Sequence, residues 1–337
     1  MKAAKFKPPR SFGIENLPEP QNTPDSVIVK VKAAGICGSD LHVWNLGAFP
    51  NAIMGHEFSG DVVEVGADVD DVKVGDRVAA MSGKGCGECR WCRQGEFVRC
   101  KKLELVGYEL PGAFAEYVRV PSFVIGRNAA FLPDHLTYGD GATAEPLSVA
   151  LYAYNQTRPQ LSDSVIVVGL GIIGLFLVQI LKSKGIHCVI ASGRRARRLQ
   201  VAKEYGADVV VDAATDDVKE IVNDMTRRDG VDVVFDTAGT PKTLRQCLKM
   251  VHRGGKINVV GIAEEPLSIN SLDLVAGDIT LIGCGLKFDI PGAVELLETG
   301  QVSAKSLITH EYPLEEIVDA FHTQKNNQEA IKVQIKI

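Results

Sequence analysis

The 337-residue chain has no apolar run near the roughly 18 residues that a membrane-crossing helix needs, so no such helix is expected. It has no basic block: 37 Lys and Arg face 42 Asp and Glu, for a formal net charge of −5. Nucleic-acid binding therefore has little electrostatic support. The charged start (Lys2, Lys5, Lys7, Arg10) is not followed by an apolar stretch, so it is not expected to act as a secretory leader. Internal repeats and low-complexity tracts are also missing, which removes repeat arrays and biased tails from consideration.

What remains is an ordinary globular composition, 45% hydrophobic and 23% charged, long enough for about two domains. Eight cysteines could suggest disulfides. With no leader and a C-x2-C spacing, reduced thiols in a cytoplasm are expected instead. Cys188, Cys247 and Cys284 read as small buried hydrophobes.

The other cysteines are the clearest signal. Cys86, Cys89, Cys92 and Cys100 follow a C-x2-C-x2-C-x7-C pattern. Four thiolates at this spacing can close a tetrahedron around one Zn²⁺. Such a site has no open position and serves structure. A second, open site is suggested upstream, where Cys37, His56 and Glu57 supply Cys, His and Glu within 21 positions. Three protein ligands plus water is the pattern of a catalytic zinc.

Periodicity divides the chain. Residues up to about 145 read as short strands with glycine punctuation, among them 26–32, 58–65 and 77–81, which suggests a barrel-like β domain. After Pro146 a helix is expected over 147–157, and then strands and helices alternate. The expected strands are 164–168, 187–191, 209–211, 231–235, 256–260 and 278–283. Helices are expected over 175–184, 197–205, 217–226 and 242–251. Alternation of this kind predicts an α/β, doubly wound parallel sheet. The tail carries two helical stretches and an alternating strand, 331–337, expected to return to the first domain.

Gly169-x-Gly171-x-Ile173-Gly174 follows a buried strand and opens a helix, the context in which this turn cradles a dinucleotide pyrophosphate. Where an NAD-binding strand usually ends in an acid, this one runs Ser192-Gly193-Arg194-Arg195-Ala196-Arg197-Arg198. A small residue followed by guanidinium forks suits a ribose 2′-phosphate, so NADP(H) is expected over NAD(H), with Ser192, Gly193, Arg194, Arg195 and Arg198 contacting it. Val260, Gly261 and Ile262, at the end of a later strand, are also expected against the cofactor.

Taken together, Cys37-Gly-Ser39-Asp40-Leu-His42-Val-Trp44, Gly55-His56-Glu57, the Cys86–Cys100 loop, Glu145-Pro-Leu-Ser-Val-Ala150 and the glycine turn resemble the zinc-dependent medium-chain alcohol dehydrogenases, most of all their sorbitol (polyol) branch. The resemblance spans essentially the whole chain. It implies a GroES-like catalytic domain over 1–145 and 286–337 and a Rossmann domain over 146–285. It implies two zinc ions: one held by Cys37, His56 and Glu57, with Glu145 as fourth ligand or holding the zinc water, and a structural one at the four cysteines. Asp40 would orient His56, Ser39 would contact the reacting oxygen, and His42 would relay its proton.

The implied substrate is a small polyol or ketone, and the implied assembly is a homodimer or homotetramer pairing near 279–284. Two departures leave the substrate open. The loop at 46–52 is short, and Lys287 stands near where the polyol branch carries an Arg-Tyr pair. An inositol-like ring, an NAD-linked threonine-type or sugar-phosphate dehydrogenase, and a non-catalytic dinucleotide sensor are the alternatives.

Overall fold

Val27–Gly35 is apolar apart from Lys30 and Lys32, and in the computed structural model, which describes residues 1–263 and 265–337, it is the hub strand of a seven-stranded sheet. Glu57–Val65 pairs with it antiparallel, and Arg77–Ala80 and Ala129–Phe131 extend that side. Tyr117–Val120 also pairs with it. On the other side Lys332–Lys336 pairs antiparallel, with Gln334 opposite Gly35. The terminal segment thus returns to the first sheet. Val29, Val31, Trp44, Phe58, Phe114, Phe321, Val333 and Ile335 form the buried core of this unit. It comprises Met1–Ser148, Leu286–Gly300 and Ala304–Ile337.

The second unit, Val149–Gly285 with Gln301–Ser303, is built on a six-stranded parallel sheet. Its spatial order is Val209–Asp212, Cys188–Gly193, Ser164–Val168, Val231–Asp236, Val251–Val259 and Thr280–Gly283. This is the doubly wound 3-2-1-4-5-6 arrangement. Val165, Ile166 and Val167 are 0% exposed, which explains the unbroken apolar run in a strand covered on both faces.

Several elements differ from the sequence expectation. Lys2–Lys7 and Ser11–Asn16 form an antiparallel hairpin around Pro8 and Pro9, where lysines interrupt the apolar pattern. Ile308–Pro313 is a strand parallel to Lys332–Lys336. The helix expected from Leu147 begins at Ala144 and runs to Thr157. Proline is tolerated in a first turn, where its missing N–H has no helical partner. Glu145 therefore sits in that first turn.

At the start of the central parallel strands, Ser164 donates its N–H and Oγ–H to Asp232 Oδ2, at 2.7 and 2.6 Å. His252 Nε2 lies 2.9 Å from Asp232 Oδ1. Burial disfavours the imidazolium, but the Arg253 carbonyl and Asp232 outweigh it and raise the His252 pKa. The pair's stabilisation is thus complete below the ordinary histidine value and fades as pH rises through the raised folded value. The Tm gap between the parent protein and His252→Gln should be wider at about pH 5.5 than at about pH 9 by scanning calorimetry. An equal gap would remove the ionic contribution.

Candidate metal centres and dinucleotide turn

Cys37 is the N-cap of the helix Gly38–Leu46, and its N–H donates to Asp40 Oδ2 at 2.9 Å. That bond turns the other carboxylate oxygen, Oδ1, towards His56 Nδ1, 3.7 Å away. The gap is too long for a hydrogen bond, and both atoms are buried with no partner. Glu57 lies opposite Gly35 in register. A side chain at Gly35 would collide with Glu57 Oε2, so glycine there lets the carboxylate fold back towards Cys37. Ligand atoms of Cys37, His56 and Glu57 all lie within 4.8 Å of one another. Glu145 is 6% exposed and stands outside that set.

Three carboxylates (Asp40, Glu57 and Glu145) and the Cys37 thiol are thus gathered in one buried region. Lys332, 2% exposed, donates to Glu57 Oε1 and Oε2 at 2.8 and 2.6 Å and to the Ile36 carbonyl at 2.8 Å. Burial raises the Asp40 pKa and pushes Glu145 up to about 7. For His56 burial opposes the charge, yet Asp40, Cys37 and Glu145 outweigh it and hold the ring well above its ordinary value. A buried imidazole beside a thiol and several acids is a place where a divalent cation can bind. Thiolate, imidazole and carboxylate are zinc donors, and the orphaned Nδ1 and Oδ1 pair suits a second-layer contact to a metal-bound ring.

Sequence reasoning missed two residues here. Lys332 lies in the last strand, where nothing in its alternation marks it. Tyr108 stacks on His56, with ring centroids 5.3 Å apart and planes at 27°, and donates its hydroxyl to Ser39 Oγ at 2.6 Å. Ser39 and His42 are both half-buried and one helical turn apart.

The four-cysteine loop folds as the spacing predicts. Cys86, Cys89, Cys92 and Cys100 bring their sulfurs within 4.8 Å of one another, and no disulfide forms. Cys89 and Cys92 Sγ are 3.5 Å apart and Cys86 and Cys92 Sγ 4.0 Å. A tetrahedron with Zn–S near 2.3 Å calls for about 3.8 Å between sulfurs. Main-chain N–H groups point at the sulfurs: Cys89 at Cys86, and Cys86 and Lys102 at Cys100, at 3.4, 3.4 and 3.3 Å. The last two hold the Cys100 thiol below its ordinary pKa.

In the second unit, Gly169 has φ +94° and Gly174 abuts its carbonyl so closely that any side chain would clash. Gly171 caps the helix Ile172–Ser183, and a Cβ there would meet nothing within 4 Å, leaving the N-terminus open to an approaching phosphate. Ile173 is half-buried beside it. Val260 and Gly261 follow the fifth strand, Gly261 against Gly239, and Ile262 is 72% exposed. Ser192 and Gly193 are buried at the end of their strand. Arg195 caps the helix Ala196–Glu204. Burial, then the neighbouring Arg195, lowers Arg198 to about 10. Arg197 turns instead along its helix to Glu204 at 3.9 Å. An acid that sequence reasoning did not weigh, Asp212, lies opposite Gly193 on the next strand, and its Oδ1 accepts the Ala214 N–H.

A GroES-like barrel sheet, a Rossmann sheet and two clusters of potential metal ligands fit a zinc-type dinucleotide oxidoreductase. The family models agree: "Alcohol dehydrogenase GroES-like domain" matches residues 23–127 and "Zinc-binding dehydrogenase" matches residues 173–299. The chain belongs to the zinc-dependent medium-chain alcohol dehydrogenase family.

It is 34% identical to a sorbitol dehydrogenase of Bacillus subtilis, over 99% of this chain and 97% of that one. It is 37% identical to a D-arabitol-phosphate dehydrogenase of Enterococcus avium, over 95% and 92%. An L-threonine 3-dehydrogenase of Bacillus licheniformis shares 36% over 97% and 96%. A zinc-binding dehydrogenase from Sinorhizobium meliloti, solved bound to NADP, superposes with a TM-score of 0.90 at 30% identity, over 100% of this chain and 99% of that one.

Lys332→Met should leave Glu57 as an uncompensated buried charge. Urea denaturation is expected to show a loss of about 3–5 kcal/mol. A loss below about 1 kcal/mol, the range of exposed pairs, would mean that water reaches the pair.

Proposed function

We propose that this chain is an NADP(H)-linked, zinc-dependent polyol dehydrogenase or ketose reductase, interconverting a secondary alcohol and a ketone by hydride transfer. The observation that carries the reading is the Cys37–His56–Glu57 set, a thiol, an imidazole and a carboxylate whose ligand atoms lie within 4.8 Å of one another. Bound there, zinc would act as a Lewis acid on the alcohol or carbonyl oxygen, and the nicotinamide would exchange the hydride.

The chain's own residues do the rest. Cys37, His56 and Glu57 hold the ion, and Lys332 keeps Glu57 in place. Asp40 orients His56 from the far side of the ring. Glu145, in the first turn of its helix, is the acid held ready beside the set. Ser39 Oγ takes the proton of the reacting hydroxyl as it gives its own to His42, which passes it towards solvent. A carboxylate in place of a second thiolate makes the set harder, which favours substrates with several oxygens.

Gly169, Gly171 and Gly174 would accept the pyrophosphate. Arg194, Arg195 and Arg198 would accept the 2′-phosphate, which relieves the crowding of their charges. Thr280–Gly283 is an edge strand with a neighbour on one side only among the described residues, and Leu281, Leu272 and Val275 are exposed nearby, which supports pairing of two copies through this edge. Eight unpaired cysteines accord with a reducing cytoplasm.

Metal analysis should find about two zinc per chain, falling to about one in Cys37→Ser, with polyol oxidation abolished. Oxidation unchanged by Cys37→Ser would overturn the reading. Arg194→Gln should cut kcat/KM for NADP⁺ roughly tenfold, the worth of one charge-assisted bond, and leave NAD⁺ within about twofold. A parent protein more efficient with NAD⁺ would overturn the cofactor assignment.

A further inference from the structure

Tyr108 is held over the metal-ligand candidates with main-chain precision. It sits in the turn after Glu104–Leu105, where Tyr108 and Leu110 both donate their N–H to the Leu105 carbonyl, at 3.1 and 3.0 Å. Gly107 returns an N–H to the Leu110 carbonyl at 2.9 Å. Gly107 has φ +92°, and a Cβ on it would stand 2.8 Å from the Gly55 carbonyl. The turn therefore lies directly on the Gly55–His56 backbone. From there the ring covers His56 and the hydroxyl reaches Ser39. Phe49, 40% exposed, meets the same ring edge-on at 5.9 Å.

Packing alone does not require this side chain. A phenylalanine would stack on His56 equally well, and the phenol adds a polar group that must be satisfied in a half-buried place. It is satisfied by donating to Ser39 Oγ, which leaves the Tyr108 oxygen with its lone pairs and Ser39 with its own proton. The two oxygens are 2.6 Å apart. Vicinal hydroxyl groups in a gauche arrangement are separated by about the same distance, roughly one O–H···O length of 2.8 Å.

We propose that Tyr108 is a substrate-positioning residue, its phenol oxygen accepting the second hydroxyl of a vicinal diol whose reacting hydroxyl lies at Ser39. Phe49 supplies an apolar wall for the carbon chain. This rests on the polyol dehydrogenase reading and narrows it from polyols in general to those with adjacent hydroxyl groups.

The test compares 2,3-butanediol with 2-butanol, which differ by the one hydroxyl in question, on zinc-loaded parent protein and Tyr108→Phe. With NADP⁺, Tyr108→Phe should lose about tenfold more in kcat/KM for the diol than for 2-butanol, the extra loss chiefly through KM. An equal fall on both alcohols, or no fall on either, would overturn the proposal. Calorimetric titration of each alcohol into the zinc-loaded protein gives a second readout that needs no turnover. The parent should bind the diol about tenfold more tightly than 2-butanol, and Tyr108→Phe should erase the difference. Equal binding of the two alcohols by the parent would overturn it. Diol-selective, Tyr108-dependent binding with no turnover would sink the dehydrogenase reading and leave the subsite standing.

Discussion

The ion pair between Lys332 and Glu57 is the constraint on which the catalytic unit depends. Both side chains are nearly out of water, at 3% and 1% exposed. Removing two such charges from solvent costs several kcal/mol each, and only close, multiple hydrogen bonds can offset it. Lys332 makes three: two to the carboxylate and one to the Ile36 carbonyl. The partners are 275 positions apart in sequence. The pair therefore joins the end of the chain to the strand that opens with Glu57, directly after His56. A unit built from residues 1–148 alone would leave Glu57 buried and unopposed.

Around that pair, shape is decided by close backbone approach. Gly35 leaves room for the Glu57 carboxylate, and Gly107 lets the Tyr108 turn rest on the Gly55 carbonyl. The thiol, imidazole and three acids then crowd together, with Lys332 on Glu57. A divalent ion held by such donors would couple metal binding to the folding of this unit. The four-cysteine lobe follows the same logic on a smaller scale, with main-chain N–H groups already directed at three of its sulfur contacts.

Much of the molecule was legible in the sequence because its signals are local. A strand buried on both faces must be apolar throughout, so Ser164–Val168 declared itself. The glycine turn and the cysteine spacing are short-range geometry, and both fold as their patterns imply. Other elements were hidden for physical reasons. Lys2–Lys7 mixes lysine with alanine on a half-exposed hairpin, and Ile308–Pro313 is an edge strand with an irregular register. Pro146 disguised a helix start that lies two residues before it.

By itself the sequence determined the α/β fold class, the gathering of the four cysteines and the strand–glycine turn–helix, and it singled out Cys37, His56 and Glu57 as candidates, because each is set by residue type at fixed short spacing. Only the tertiary structure decided that Lys332 neutralises Glu57, that Tyr108 covers His56 and reaches Ser39, and that Glu145 stands apart from the three nearest ligand groups. Those are contacts between segments far apart in the chain. Their geometry comes from sheet register and glycine-permitted backbone approach, which no local pattern of residues records.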